Sequence, residues 1–381
     1  MPGKSLPIFN ALKRLLQTGV LMLLLVSLSI GLSGAGWNFF GFGSSNTRES
    51  TLPSGNAITD PKALLRYALP IDNQPVRELQ ASLEDISEQL RSRRGWSAIS
   101  GDISQASSIL TQDKDELLES VPDDRKSQAE TAISNLQAGL NDLRVALETQ
   151  DKDLILTERE KVLDVVGELE ETMVQGFPFE VPAEYSNLPQ LKGRATVEIT
   201  TSKGKIVAVL DGYSAPVTAG NFVDLVQRGF YDGLPFTRAE ESYYVQTGDP
   251  IGPDDGFIDP DTGSYRAIPL EILARGDEEP IYGITLEDAG RFRDQPVLPF
   301  SAYGALAMAR PEFEANGGSS QFFFFLFDQE LTPPGLNLLD GRYTIFGYTI
   351  DGAEVLGELE QGDTIESAKV IEGASNLVQP V

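Results

Sequence analysis

The hydrophobic pattern changes period once along the chain, at a proline-rich stretch over 177–192 (FPFEVPAEYSNLPQLK), and that change constrains the fold more than any other feature. Before it, apolar residues recur at alternating spacings of three and four. After it, they alternate with polar ones. The first period lines up apolar side chains on one stripe of a helix, and the second on one face of a strand. The chain therefore reads as two modules of different class. An acidic helical module covers 60–176 and a β-rich module covers 193–377, with 177–192 as an interdomain linker or a segment lying against one of them.

In the helical module, Asp60-Pro61 is a helix start, because Asp accepts from orphan N–H groups and Pro at the first position has no donor to orphan. Val76, Leu79, Leu83, Ile86 and Leu90 form one stripe, expected to end at Arg91, Arg93, Arg94 and Gly95. Asp102–Ser120 predicts one or two shorter helices. Further stripes lie at Ile133, Leu136, Leu140, Leu143 and Leu147, and at Ile155, Val162, Val166, Leu169 and Met173, the last interrupted by Arg159. About four helices joined by short polar connections make an up-down bundle.

In the β-rich module, Thr196–Thr200 and Lys205–Leu210 read as a hairpin around Lys203-Gly204. A helix follows Pro216, with Phe222, Leu225 and Val226 on one face and Gly229 as its stop. Short strands are expected at Tyr243–Gln246, Gly304–Met308, Gln321–Phe325 and Thr344–Phe346. Many short strands with glycine-rich turns predict a closed antiparallel β-barrel, so the fold class is a helical bundle followed by a barrel.

Composition excludes whole classes of chemistry. The 381 residues contain no Cys and no His. Catalytic triads, thiolate nucleophiles, disulfides and Cys- or His-ligated metals are ruled out, leaving only carboxylate metal sites. A formal net charge of −27 argues against binding nucleic acid through the mean field. Asp254, Asp255, Asp259 and Asp261 in the segment 251–300 carry a faint echo of a Ca²⁺ loop without its terminal Glu, and read as a solvated acidic loop. No metal site is expected.

At the N-terminus, Lys4, Lys13 and Arg14 precede an apolar run from Val20 to Leu32 and the small residues Ser33, Gly34 and Ala35. Residues 1–36 have the anatomy of an export signal peptide, and 37–59, rich in Gly, Ser, Asn and Thr, that of a flexible tether. The rival is an uncleaved anchor, since the uncharged stretch Gln17–Asn46 is long enough to span a bilayer. Either reading places the remainder outside the cytosol.

Five blocks then become specific. The run Ala215-Pro-Val-Thr-Ala-Gly-Asn-Phe-Val-Asp-Leu-Val-Gln-Arg-Gly-Phe-Tyr-Asp-Gly-Leu-Pro-Phe-Thr-Arg resembles the cyclophilins. So do Val245-Gln-Thr-Gly-Asp-Pro, Gly304-Ala-Leu-Ala-Met-Ala, Ser319-Ser-Gln-Phe-Phe and Leu339-Asp-Gly-Arg-Tyr-Thr-Ile-Phe-Gly. They follow the family's order over nearly all of 193–360. Together with the export signal and the helical module, the layout is similar to the large thylakoid-lumen cyclophilins of plants and cyanobacteria, a subfamily associated with photosystem II assembly and maintenance. The resemblance implies a peptidyl-prolyl cis-trans isomerase without a cofactor. Its partners would be proline-containing polypeptide clients and photosystem II subunits, its location the thylakoid lumen or the periplasm, with a membrane tether if the leader is retained.

The chemistry fits a chain without His or Cys. Rotation about the prolyl amide faces a barrier of about 18–20 kcal/mol set by resonance. An apolar hollow for the ring and a cation that favours the twisted amide are enough to lower it. The resemblance implies Arg238 as the catalytic cation and Gln246 as the group holding the substrate backbone. It implies Phe323, Ala309 and Leu339 as pocket residues. The chain departs from the family at Tyr243 and Tyr244 (usually Phe-Met), Tyr343 (usually His), Leu338 (usually Trp) and Thr237 (usually His). Glu240 and Glu241 adjoin Arg238 and are its competing ion-pair partners. Activity on short peptides is therefore expected to be weak or absent. The alternative is a catalytically silent chaperone or assembly factor, whose helical module contacts the barrel and covers the groove.

Overall fold

A computed structural model of the chain describes residues 58–91, 95–260, 262–327 and 337–380. The leader, most of the tether, Arg93, Arg94 and Asp261 lie outside these residues. Among the described residues no helix is long and apolar enough to cross a membrane.

The helical module contains α1 (Pro61–Ala68), α2 (Gln74–Gln89), α3 (Gly95–Gln112), α4 (Lys114–Glu119), α5 (Lys126–Thr149) and α6 (Lys152–Met173). Side-chain caps fix several starts. Asp60 accepts from Lys62 N and Ala63 N, Asn73 from Val76 N at 3.0 Å, and Asp151 from Asp153 N and Leu154 N. Helices α2, α3, α5 and α6 pack in a ring, each beside the next and α6 returning to α2. Every stripe residue named above is buried in their common core except Leu147, which is partly buried against it. Arg159, which breaks the last stripe, donates to the carbonyls of Leu83 and Glu84 on α2. Gly95, expected to end a helix, instead opens α3.

Helix α1 departs from the expected bundle. Its Leu64, Leu65 and Ala68 are buried with Leu298, Phe300, Phe323, Phe325 and Tyr348 of the β-rich module. Its other side is tied to the bundle by Arg66–Glu84 at 3.0 Å, while Arg77, paired with Glu170 at 3.0 Å, donates to the Arg66 and Leu69 carbonyls. Arg194 adds a second clasp: it bonds Asp211 at 3.1 Å, Glu171 of α6 at 3.3 Å and the Leu65 carbonyl of α1. Helical and β-rich parts thus belong to one compact unit.

The β-rich module runs β1 (Gln190–Leu191), β2 (Arg194–Thr201), β3 (Gly204–Asp211), α7 (Pro216–Gln227), β4 (Arg238–Glu240), β5 (Tyr244–Thr247), β6 (Glu271–Ile272), β7 (Ile281–Tyr282), β8 (Ala305–Met308), β9 (Phe322–Phe325), β10 (Ile345–Asp351), α8 (Ala353–Leu356), β11 (Ile365–Glu372) and β12 (Leu377–Val378). Eight strands form one antiparallel sheet in the order β11-β2-β3-β10-β8-β9-β5-β4. The sheet curls until residues 233–236, leading into β4, meet 362–365 at the start of β11. There Gly233 N bonds Ile365 O, Ile365 N bonds Leu234 O, Phe236 N bonds Asp363 O and Gly362 N bonds Phe236 O, at 2.7–2.9 Å. Helix α7 is buried from Pro216 to Val226, on all sides rather than one. Asn221 donates to Ser319 O at 2.6 Å and Asp224 pairs with Arg266 at 2.6 Å, so these two polar residues are satisfied inside the module.

The proline-rich stretch lies against the barrel: Leu188 and Leu191 are buried in its core, and β1 pairs with β12. The segment 251–300 is more than a solvated acidic loop. It contributes the β6–β7 pair and a small core of Leu270, Ile272, Ala274 and Leu286. Asp254 and Asp255 are exposed, whereas Asp259 pairs with Arg266.

Candidate active site

Strand register builds the site. Arg238 on β4 is paired with Gln246 on β5, Gln246 with Phe323 on β9, and Phe323 with Ala307 on β8. Residues directly opposite across antiparallel strands point to the same face. Arg238, Gln246 and Phe323 therefore stand in a single row. The flanking row on the same face is Glu240, Tyr244, Phe325 and Ala305. Between them, Ala239, Val245, Phe324 and Leu306 point the other way, into the barrel core. The alternation of Phe322–Phe325 thus divides four phenylalanines between core and site.

Over this row lies a cavity of about 500 Å³. It takes in Arg238, Gln246, Phe323, Tyr243, Tyr244, Ala309, Leu339 and Tyr343. Thr237 and Leu338 do not line the cavity, and the Leu338 side chain is 88% exposed. No residue of α1–α6 lines it among the described residues.

The floor is aromatic. Phe323 is 7% exposed and stacks parallel on Phe300 with ring centres 6.1 Å apart. Tyr244 and Tyr343 stand edge-on to it at 5.8 and 5.6 Å. Phe323 lines the cavity and offers an apolar guest an aromatic surface. The two tyrosines at 243 and 244 do not fill the hollow: Tyr243 is 39% exposed and turns its ring edge-on to Tyr244.

The polar groups are tethered. Gln246 Nε2 donates to Gln321 Oε1 at 2.7 Å, and Gln321 Nε2 donates to Asp249 Oδ1 and Asp255 O. This relay fixes the Gln246 amide plane. Burial, and then the nearby Asp255, raise the pKa of Asp249 above the usual carboxylate range. Arg238 is exposed and forms no ion pair among the described residues. Glu240 instead accepts the Tyr244 hydroxyl at 3.0 Å. The pKa of that phenol is raised first by burial and also by Glu240, while the Arg238 charge opposes the shift.

Several lining residues escaped the sequence reading. Arg310 lies 5.2 Å over the Tyr343 ring and donates to the Arg342, Pro311 and Glu312 carbonyls. Burial draws its pKa down. Gln321 sits inside the Ser-Ser-Gln-Phe-Phe block, and Arg310 directly after Ala309, so both had a local signal. Asp255 and Tyr265 reach the cavity from the long 251–300 segment, which no short-range pattern places there. Among the described residues no group of three carboxylates could hold a metal ion.

Comparison with known proteins agrees with the two-module reading. Residues 60–174 match the family model of the CYP38-like peptidyl-prolyl cis-trans isomerase PsbQ-like domain, and residues 196–375 match that of the cyclophilin-type peptidyl-prolyl cis-trans isomerases. The chain is 57% identical over 366 residues to a protein of Synechocystis sp. named as a thylakoid lumen peptidyl-prolyl cis-trans isomerase, covering 96% of each. It is 47% identical to the chloroplastic isomerase CYP38 of Arabidopsis thaliana, over 87% of this chain and 78% of that one. A solved cyclophilin of Cryptosporidium parvum, crystallised with the dipeptide Ala-Pro, is 24% identical and aligns with 46% of this chain and 99% of its own, with a TM-score of 0.34.

Proposed function

Because this chain belongs to the cyclophilin-type peptidyl-prolyl cis-trans isomerases, in the branch that joins a PsbQ-like helical domain to the cyclophilin domain, we propose that the cavity over Phe323 binds a prolyl residue and that Arg238 catalyses rotation about its amide. The observation that carries this reading is the row Arg238–Gln246–Phe323, set by strand register beneath an open cavity. The prolyl ring lies on Phe323, bounded by Ala309, Leu339 and Tyr343. Gln246, held by Gln321, bonds the substrate backbone and keeps one side of the rotating bond fixed. The Arg238 guanidinium donates to the prolyl nitrogen, whose lone pair becomes available only when amide resonance is broken. The bond is thus made in the transition state and not in either planar ground state.

The magnitude limits the rate. A hydrogen bond to a charged group contributes about 1.5–3 kcal/mol, worth roughly 10- to 150-fold in rate. Ring burial stabilises ground and transition states alike and adds to affinity rather than turnover. With one cation the account gives modest activity on short peptides. We further place the protein in the thylakoid lumen, with proline-containing segments of photosystem II subunits as clients. Support comes from the leader pattern and from the lumenal and chloroplastic relatives.

A protease-coupled isomerisation assay on the full chain tests the catalytic part. Arg238→Ala is expected to lower kcat/KM by at least about tenfold with little change in KM. Equal rates with and without the guanidinium would refute it and leave a silent, peptide-binding chaperone as the function.

A further inference from the structure

Resting on the isomerase reading above, we propose that the Tyr244 hydroxyl is a positioning group: it engages Glu240 and so keeps the Arg238 guanidinium free for substrate. Arg238 and Glu240 are two residues apart on β4, so their side chains leave the same face within about 7 Å of each other. Two long, opposite charges so placed on an exposed strand are natural partners. Yet Arg238 forms no ion pair among the described residues. The residue opposite Glu240 in register is Tyr244, and its hydroxyl donates to Glu240 Oε1 at 3.0 Å. The phenol therefore gives the carboxylate a partner other than the guanidinium. The ring itself is held edge-on to Phe323 and Tyr243, so the hydroxyl is fixed by the same aromatic cluster that floors the cavity. A phenylalanine at 244 would keep that packing and lose the bond to Glu240, and the β4 pair would close. Tyr244 is then a specific compensation for the acid beside the catalytic cation.

The test combines turnover with structure, using the full chain. An exposed ion pair is weak, so its capture of Arg238 lowers kcat by roughly two- to fivefold. Tyr244→Phe is expected to show that fall in kcat with KM unchanged, and a crystal structure with Arg238 paired to Glu240. Glu240→Gln alone should stay within about 1.5-fold of wild type, and Tyr244→Phe/Glu240→Gln should recover to the same level. Loss without recovery in the double variant overturns the proposal, as does Tyr244→Phe with full activity and no new ion pair. If no variant, nor the wild type, turns over peptide, the isomerase reading fails. The crystal structures then decide the positioning claim alone: the pair present only in Tyr244→Phe supports it, and its absence overturns it.

Discussion

Replacing Arg194 by Met removes the guanidinium that clasps the barrel to the helical module and keeps the apolar stem. Its side chain is 13% exposed, and its main counter-ion, Asp211, is fully buried. After the substitution Asp211 retains the Ser214 hydroxyl at 2.7 Å but no positive charge. Stripping one partner from a buried pair costs about 3–5 kcal/mol. The arm to Glu171, whose side chain is 57% exposed, contributes under about 1 kcal/mol. The expected series is therefore graded. Glu171→Ala costs under about 1 kcal/mol, Arg194→Met about 3–5 kcal/mol, and Arg194→Met/Asp211→Asn less than Arg194→Met, because the stranded charge is gone. The chain has two tryptophans, Trp37 and Trp96. In a Trp37→Phe background the remaining indole sits on α3, inside the helical bundle and on the far partner of the clasp. Denaturant unfolding followed by Trp96 fluorescence then reports the bundle, and far-ultraviolet dichroism reports the whole chain. Coincident transitions that shift together in Arg194→Met are predicted, since coincidence of probes marks one cooperative unit. A loss below about 1 kcal/mol, or a Trp96 midpoint unmoved while the dichroism shifts, would refute the clasp.

Two further outcomes concern the site's supports. Glu271 is buried beneath α7, where it accepts the Val217 and Thr218 amides, and burial pushes its pKa up to about 7. The folded state then holds a proton that the unfolded chain, titrating near 4.5, has released, so this group's contribution to stability is fully present below pH 4.5 and is lost as pH rises through 7. Glu170 and Asp340, raised by burial to about 8 and about 6, act in the same direction. Glu271→Gln should flatten its share of that slope, on the order of 3 kcal/mol between pH 4.5 and 8, in denaturation curves taken across the range; an unchanged slope would remove Glu271 from the account. Gly248, at φ +88°, would bring an added Cβ to 2.3 Å from the Ser320 carbonyl at the end of β5. Gly248→Ala is expected to cost about 2–5 kcal/mol from left-handed strain and overpacking, read as a lowered thermal midpoint; a midpoint equal to wild type would contradict the close approach.

The sequence made some parts of this molecule legible and hid others, for physical reasons. Val76, Leu79, Leu83 and Ile86 announced their helix because a stripe at that spacing has one burial solution. The Ser-Ser-Gln-Phe-Phe block likewise pointed to Phe323 as a pocket residue through the resemblance. Helix α1 was misplaced because its eight residues carry apolar side chains that suit either neighbour, and only tertiary contact with Phe300 and Tyr348 decides between them. The β6–β7 pair is two residues long on each side, too short for any period to show. Gly95 looked like a stop by its residue type, but the same residue can begin a helix when the next turn is packed. The Tyr244–Glu240 hydrogen bond was invisible for another reason. Spacing flagged Glu240 as a threat to Arg238, and only register put a phenol opposite it.

The central claim is that a prolyl ring sits on Phe323 while Arg238 acts on its nitrogen. Two-dimensional exchange NMR on a short Ala-Pro peptide, with substoichiometric full-length protein, tests this directly. The account predicts cis–trans exchange cross-peaks that depend on Arg238, together with upfield shifts of the proline ring protons from the aromatic floor. Proline signals unshifted and without exchange at millimolar peptide would contradict it.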